Sequence, residues 1–272
     1  NKNYSIGIFD SGFGGLDIAK YIVKRLPQYD YIYLGDTART PYGTRSREVI
    51  YNFTEQAVDF LFKRGCKLII LACNTASSEA LRKIQQEYLV RSYPDQRVLG
   101  VLIPAAEAAA ERSKNGRVGV IGTEGTVKSG AFGRELKKTD PKIKVFQNAC
   151  PLLVPIVESG EKDRVVINRV LKNYLNPLLK EKIDTLILGC THYGILSSEI
   201  KKVLNGKVNI INEGEVVGEK LKDYLVRHPE IEKTIGRSSK ITFYTTDLTD
   251  KFKVLGSRFF GQIIKPEKVV LT

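Results

Sequence analysis

Two stretches decide the fold: Leu68-Ile-Ile-Leu-Ala-Cys73-Asn-Thr-Ala76 and Leu186-Ile-Leu-Gly-Cys190-Thr-His-Tyr193. Each is a short apolar run ending in a small residue, then a cysteine, then side chains able to hydrogen-bond. A run that is apolar at every position, rather than at alternate ones, reads as a strand buried on both faces. A second pair echoes the first. Ile6-Gly-Ile-Phe-Asp10-Ser-Gly-Phe-Gly-Gly15 and Val118-Gly-Val-Ile-Gly122-Thr-Glu-Gly-Thr126 both give an apolar strand with Gly at its second position, a loop of small or hydroxyl residues, and a helix start. Matching Asp10 to Gly122 gives an offset of 112, and Cys73 to Cys190 one of 117. Two pairs at nearly one offset describe two similar halves.

Working outward, further strand-like runs lie at 31–34, 98–102, 144–146, 208–211, 241–244 and 268–271. Amphipathic stretches at 15–25, 45–64, 77–88, 105–113, 128–137, 163–179, 196–205 and 214–227 fall between the runs as helices. Strand alternating with helix predicts an α/β chain with mostly parallel sheets. Ligands then bind beyond the carboxyl ends of the strands, where both cysteines fall. The expected division is a first domain of residues 1–97 plus 212–272 and a second of 98–211.

Length and composition agree. The 272 residues allow about two domains at roughly 150 each. With 42% hydrophobic and 27% charged residues the chain is globular, not disordered, fibrous or a disulfide scaffold. No stretch nears the roughly 18 apolar residues of a membrane helix. The N-terminus lacks the basic, apolar and small-residue progression of a signal peptide. Four cysteines without a CxxC pair suggest free thiols in a reducing compartment, so a cytoplasmic protein is expected. The net charge of +13 invites a nucleic-acid reading. The cations are scattered among acids, as in Arg45-Ser-Arg47-Glu48 and Glu161-Lys-Asp-Arg164, and no nucleic-acid motif accompanies them. A solvated basic surface is the better reading, with nucleic acid not a primary partner.

Cys66 and Cys150 read as small buried hydrophobes. Cys73 and Cys190 sit where loops open onto the ligand edge, followed by Asn74-Thr75 and Thr191-His192. Two facing thiols could form a disulfide, bind a metal, or do acid–base work at a stereocentre, one on each face. A reducing compartment argues against the first. With only two histidines, His192 and His228, a zinc site is hard to complete, and no metal is expected. Asp10 and His192 are the groups that could poise the thiols. His228, in a polar helix end, reads as solvated. The loop Asp10-Ser-Gly-Phe-Gly-Gly15 fails the dinucleotide fingerprint, because Asp17 stands where the third Gly should, and no Walker lysine follows. Its hydroxyl, with Thr123, Thr126, Asn74, Thr75 and Thr191, makes a polar pocket suited to an amino acid with one or two carboxylates.

Six motifs in order then carry a resemblance: Asp10 to Gly15, Gly35-Asp-Thr through Pro41-Tyr-Gly43, Ala72-Cys-Asn-Thr-Ala-Ser77, Ile121-Gly-Thr-Glu-Gly-Thr126, Cys150-Pro-Leu-Leu-Val-Pro155 through Glu158-Ser-Gly160, and Gly189-Cys-Thr-His-Tyr193. With them the chain resembles the glutamate racemases of the cofactor-independent aspartate/glutamate racemase superfamily. The resemblance implies two pseudo-symmetric Rossmann-like α/β domains with the active site in the cleft between them. It implies that Cys73 acts on D-glutamate and Cys190 on L-glutamate, that Asp10 assists Cys73 and His192 assists Cys190, and that Glu158 is a third acidic helper. Ser11, Tyr42, Gly43, Asn74, Thr75 and Thr191 become expected substrate contacts, together with Thr126, Asp10 and His192. No pyridoxal phosphate is implied; a homodimer and D-glutamate supply for bacterial peptidoglycan are. One departure is Gly194, where the family usually has Pro, which predicts a looser loop beyond Cys190. Rival readings are a sibling activity such as racemising aspartate or decarboxylating a malonate, a basic nucleic-acid-interacting protein, and a binding module without catalysis.

Overall fold

The computed structural model describes residues 3–272. Its strands are β1 (Ser5–Asp10), β2 (Tyr31–Gly35), β3 (Cys66–Leu71), β4 (Arg97–Gly100), β5 (Arg117–Gly122), β6 (Lys144–Ala149), β7 (Thr185–Gly189), β8 (Asn209–Ile211), β9 (Ile241–Thr245) and β10 (Glu267–Lys268). They form a six-stranded sheet in the order β10-β9-β2-β1-β3-β4 and a four-stranded sheet in the order β6-β5-β7-β8. Every pairing is parallel. The run β2-β1-β3-β4 matches β6-β5-β7-β8 strand for strand, so the doubled sequence pattern is a doubled topology. Register carries the match to the residue. Phe9 pairs with Leu71, and Gly122 with Gly189, so Cys73 and Cys190 leave equivalent strand ends, each next to the edge strand of its sheet.

The apolar runs are buried on both faces because alternate side chains enter different cores. Ile6, Ile8, Leu68 and Ile70 join one cluster, and Phe9, Ile69 and Leu71 another. In the second sheet Leu186 and Leu188 join the first of these clusters, while Val118, Val120 and Ile187 form a third. One apolar mass is thus shared by faces of both sheets.

Helices fill the crossovers. Gly15–Arg25 has the bounds that the sequence predicts. The single helix expected over 77–88 is instead a broken path of Asn74–Glu79, Leu81–Lys83, a π-helical turn at Ile84–Tyr88, and Leu89–Ser92. The expected 128–137 helix is split at Gly130, whose φ of 64° is left-handed. The strand expected over 98–102 ends at Gly100, and a helix begins at Leu102. Because β4 pairs with β3, the expected domain start at 98 falls inside a strand of the six-stranded sheet. Three helices went unanticipated: the single turn Pro229–Glu232, and the longer Leu153–Ser159 and Asp250–Phe260. Asp250–Phe260 had legible ends: Thr249 caps it by accepting from Phe252 N at 3.0 Å, and Gly261 closes it with φ 82°. Among the described residues no helix is long and apolar enough to cross a membrane.

Phe132 is fully buried and lies under Gly189, the residue before Cys190; a Cβ there would stand 2.9 Å from its ring. Phe132→Ala should destabilise the fold by about 3–5 kcal/mol, read as a lower urea midpoint.

Candidate active site

Asp10 ends β1 with its carboxylate turned into its own loop. Gly12 N and Gly15 N both donate to Oδ2 at 3.1 Å, which curls residues 10–15 into a tight turn. Tyr33 OH donates to Gly12 O at 3.1 Å and holds that turn against β2. Oδ1 is buried with no hydrogen-bond partner. Burial pushes the Asp10 carboxyl up, the charge of His192 and the loop amides pull it back, and the net position is above the ordinary 3.8.

Cys73 follows β3 and caps the helix Asn74–Glu79: Ala76 N donates to its Sγ at 3.4 Å. Ser11 Oγ lies 3.4 Å from the same sulfur, accepting from the thiol or turning to donate to a thiolate. Burial, aided by the charge of Asp10, pushes this thiol up to about 11 against the pull of those donors. Cys190 is likewise pushed well above its ordinary 9.0, first by burial and then by the charges of Cys73, Asp10 and Glu213. Both sulfurs therefore rest as thiols.

His192 stands between Cys190 and Glu158. Its Nε2 is 3.0 Å from Glu158 Oε1, and its Nδ1 is 3.9 Å from Cys190 Sγ and 3.3 Å from Thr191 Oγ1. Burial raises Glu158, but the hydrogen bond and charge of His192, with the charge of Lys251, bring it below its ordinary 4.5. An ionised Glu158 can only accept, so Nε2 carries a proton and Nδ1 is the ring nitrogen that faces the Cys190 side. Phe13, 5.9 Å from the His192 ring between centroids, braces it, and the C-terminal helix backs Phe13 through Phe252 and Phe259. Gly14 allows the approach: a Cβ there would lie 2.6 Å from His192 Nδ1 and Thr191 Oγ1.

The other expected contacts gather at the same seam. Thr75 Oγ1 lies 3.3 Å from Thr123 Oγ1 and 3.5 Å from Thr126 Oγ1. A Cβ on Gly43 would come 3.0 Å from Thr123. Tyr42 is buried, but its hydroxyl donates to Asp36, so only the rest of that residue is free to face a ligand. Asp36 escaped sequence reasoning. It is wholly buried and accepts from Arg39 Nε at 2.7 Å and Thr246 Oγ1 at 2.8 Å as well, which anchors the loop that carries Tyr42 and Gly43. Glu213 escaped too; it is buried against Asn74. A Glu in the first turn of a helix reads as an exposed residue favoured by the dipole, so no local signal marked it. A cavity of about 550 Å³ opens beside the seam, lined by Gly43, Thr123, Cys150, Glu158, Tyr193 and Lys251. Among the described residues no group of three or more His, Cys, Asp and Glu could hold a metal ion.

A family model described as Asp/Glu/Hydantoin racemase matches residues 16–217. A glutamate racemase of Geobacter metallireducens is 41% identical over 257 residues, 94% of this chain and 93% of the relative. One of Bacillus cereus is 39% identical over 98% of this chain and 96% of its own. The chain belongs to the Asp/Glu/hydantoin racemase family. Among solved structures, a glutamate racemase isoform of Bacillus anthracis superimposes on this racemase-family chain with a TM-score of 0.91 at 37% identity, covering 100% of this chain and 99% of that one. That of Francisella tularensis, solved in complex with D-glutamate, gives 0.88 at 35% identity, with 98% of each chain covered.

Gly194, expected to loosen the loop, owes its identity to space. Its φ is not among the left-handed ones, and a Cβ would sit 2.8 Å from the buried Asp17 Oδ2, whose partner oxygen is 2.6 Å from Lys20 Nζ. Gly194→Ala should destabilise this racemase-family protein by about 1–3 kcal/mol, and by clearly less in an Asp17→Ala background. A second expectation concerns pH. All four thiols are buried and raised above 9.0, Cys73 to about 11 and Cys150 to about 12. The unfolded chain ionises its thiols first, so their contribution is complete below pH 9 and is lost as pH climbs through 9 toward 11 and 12. Urea midpoints at pH 8 and 10 should fall in that direction, each thiol giving up to about 1.4 kcal/mol per pH unit.

Proposed function

We propose that this chain interconverts L- and D-glutamate, with Cys73 and Cys190 carrying the α-proton on opposite faces of the substrate and with neither pyridoxal phosphate nor metal taking part. The observation that carries this reading is the placement of two buried thiols at equivalent ends of β3 and β7, beside buried acceptors without partners. Glutamate as substrate is supported by near-full-length relatives named glutamate racemase and by the D-glutamate complex of the Francisella protein.

In this reading the substrate ammonium meets the unpartnered Oδ1 atoms of Asp10 and Asn74. Hydroxyls of Ser11, Thr75, Thr126 and Thr191 and the backbone at Tyr42 and Gly43 receive the carboxylates. A cation bound beside Cys73 offsets the burial that keeps the sulfur protonated, and Asp10 takes its proton. With D-glutamate, the Cys73 thiolate removes the α-proton. The electron pair stays on Cα, delocalised into the carboxylate and stabilised by the fixed donors. The Cys190 thiol then delivers its proton to the opposite face, leaving L-glutamate, a Cys73 thiol and a Cys190 thiolate. L-glutamate runs the same path backward, with His192, oriented by Glu158, exchanging the proton of Cys190. The reading extends to a cytoplasmic homodimer that supplies D-glutamate for bacterial peptidoglycan.

Incubation with L-glutamate in D₂O should show loss of optical rotation together with deuterium at Cα by NMR, and aspartate should be a poor substitute. Cys73→Ala and Cys190→Ala should each lower racemisation by about 10²–10⁴-fold with an unchanged melting temperature. Full racemisation by either variant would sink the two-thiol mechanism.

A further inference from the structure

Asn74 and Glu213 form a buried polar pair that the mechanism above leaves unexplained. Asn74 starts the helix after Cys73, beside the six-stranded sheet; Glu213 starts the helix Glu213–Arg227 after β8, at the end of the four-stranded sheet. Asn74 Nδ2 donates to Glu213 Oε2 at 2.7 Å across a sequence separation of 139 residues. Asn74 is 3% exposed and Glu213 4%. Asn74 Oδ1 and Glu213 Oε1 are both buried and have no partner. No described Lys, Arg or His forms an ion pair with Glu213.

A carboxamide is nearly symmetric in shape, and only its hydrogen bonds decide which end faces where. Asn212 already caps the helix, by accepting from Gly214 N at 3.0 Å, so Glu213 is not needed there. Its carboxyl accepts from the NH₂ end of Asn74, which leaves the carbonyl oxygen Oδ1 as the free acceptor. Resting on the glutamate reading, we propose that Glu213 is a positioning residue: it fixes the Asn74 amide with Oδ1 presented to the substrate amino group. Burial pushes the Glu213 carboxyl well above its ordinary 4.5. The hydrogen bond from Asn74 draws that carboxyl part of the way back down.

The test is steady-state racemisation of both glutamate enantiomers by the full chain, with melting temperatures, for wild type, Glu213→Ala, Glu213→Gln, Asn74→Ala and the double alanine variant. Glu213→Ala should raise KM about tenfold, more than it lowers kcat, the loss of one oriented hydrogen bond. Glu213→Gln, whose amide oxygen accepts the same N–H, should recover most of that loss. The double variant should match Asn74→Ala within about twofold, because the two residues act through one contact. Where Glu213→Ala fails to fold, Glu213→Leu takes its place. An unchanged KM in Glu213→Ala, no recovery by Gln, or multiplied losses in the double variant would each overturn the assignment. Wild-type turnover of glutamate separates these outcomes from failure of the glutamate reading, in which wild type itself would be inactive.

Discussion

The turn from Asp10 to Gly15 is wound around a buried carboxylate, and most of the site leans on it. One oxygen of Asp10 takes two loop amides, and the other is buried without a partner. The same turn sets Ser11 beside Cys73, Gly14 against His192, and Phe13 between His192 and the C-terminal helix. The loop is held because β1 is fixed between β2 and β3 and because Asp10 Oδ2 ties down two of its amides. Both thiols inherit their surroundings from that arrangement.

Those surroundings are not symmetric, although the sheets are. Cys73 is served by helix-start amides, a serine and an aspartate; Cys190 is served by an imidazole that is itself oriented by a carboxylate. Burial raises both thiols, so each needs a neighbour able to take its proton, and a different chemical group fills that place on each side. A duplicated topology supplies matched positions. The chemistry at each position follows from which loops the other sheet brings against it.

Buried acceptors without partners are the other common theme. Asp10 Oδ1 and Asn74 Oδ1 are buried and have no hydrogen-bond partner. Leaving such groups unpaired is costly, and a ligand with several N–H donors removes the cost where it reaches them. The site therefore has a polarity of its own, in which a cationic group is favoured near Cys73 and Asp10.

Much was legible in the sequence because the strands are buried on both faces, and a continuous apolar run needs no partner to be recognised. β1, β2, β3, β5 and β7 stand within a residue or two of their expected bounds, and the matched cysteines stand at equivalent strand ends. Where packing overrides local preference, the reading failed: the helix after Cys73 breaks into four pieces, and β4 joins the six-stranded sheet past the expected boundary. Gly194 shows the same division, since the residue type is plain but its cause is the Asp17 carboxylate, 177 positions away in the chain. The sequence by itself determined the α/β alternation, the doubling and the two thiols, because each rests on local periodicity and spacing. Only the tertiary structure decided that Asp36 holds Tyr42, that Glu213 holds Asn74 and that Phe13 braces His192, because burial and pairing across the chain are properties of the packed molecule.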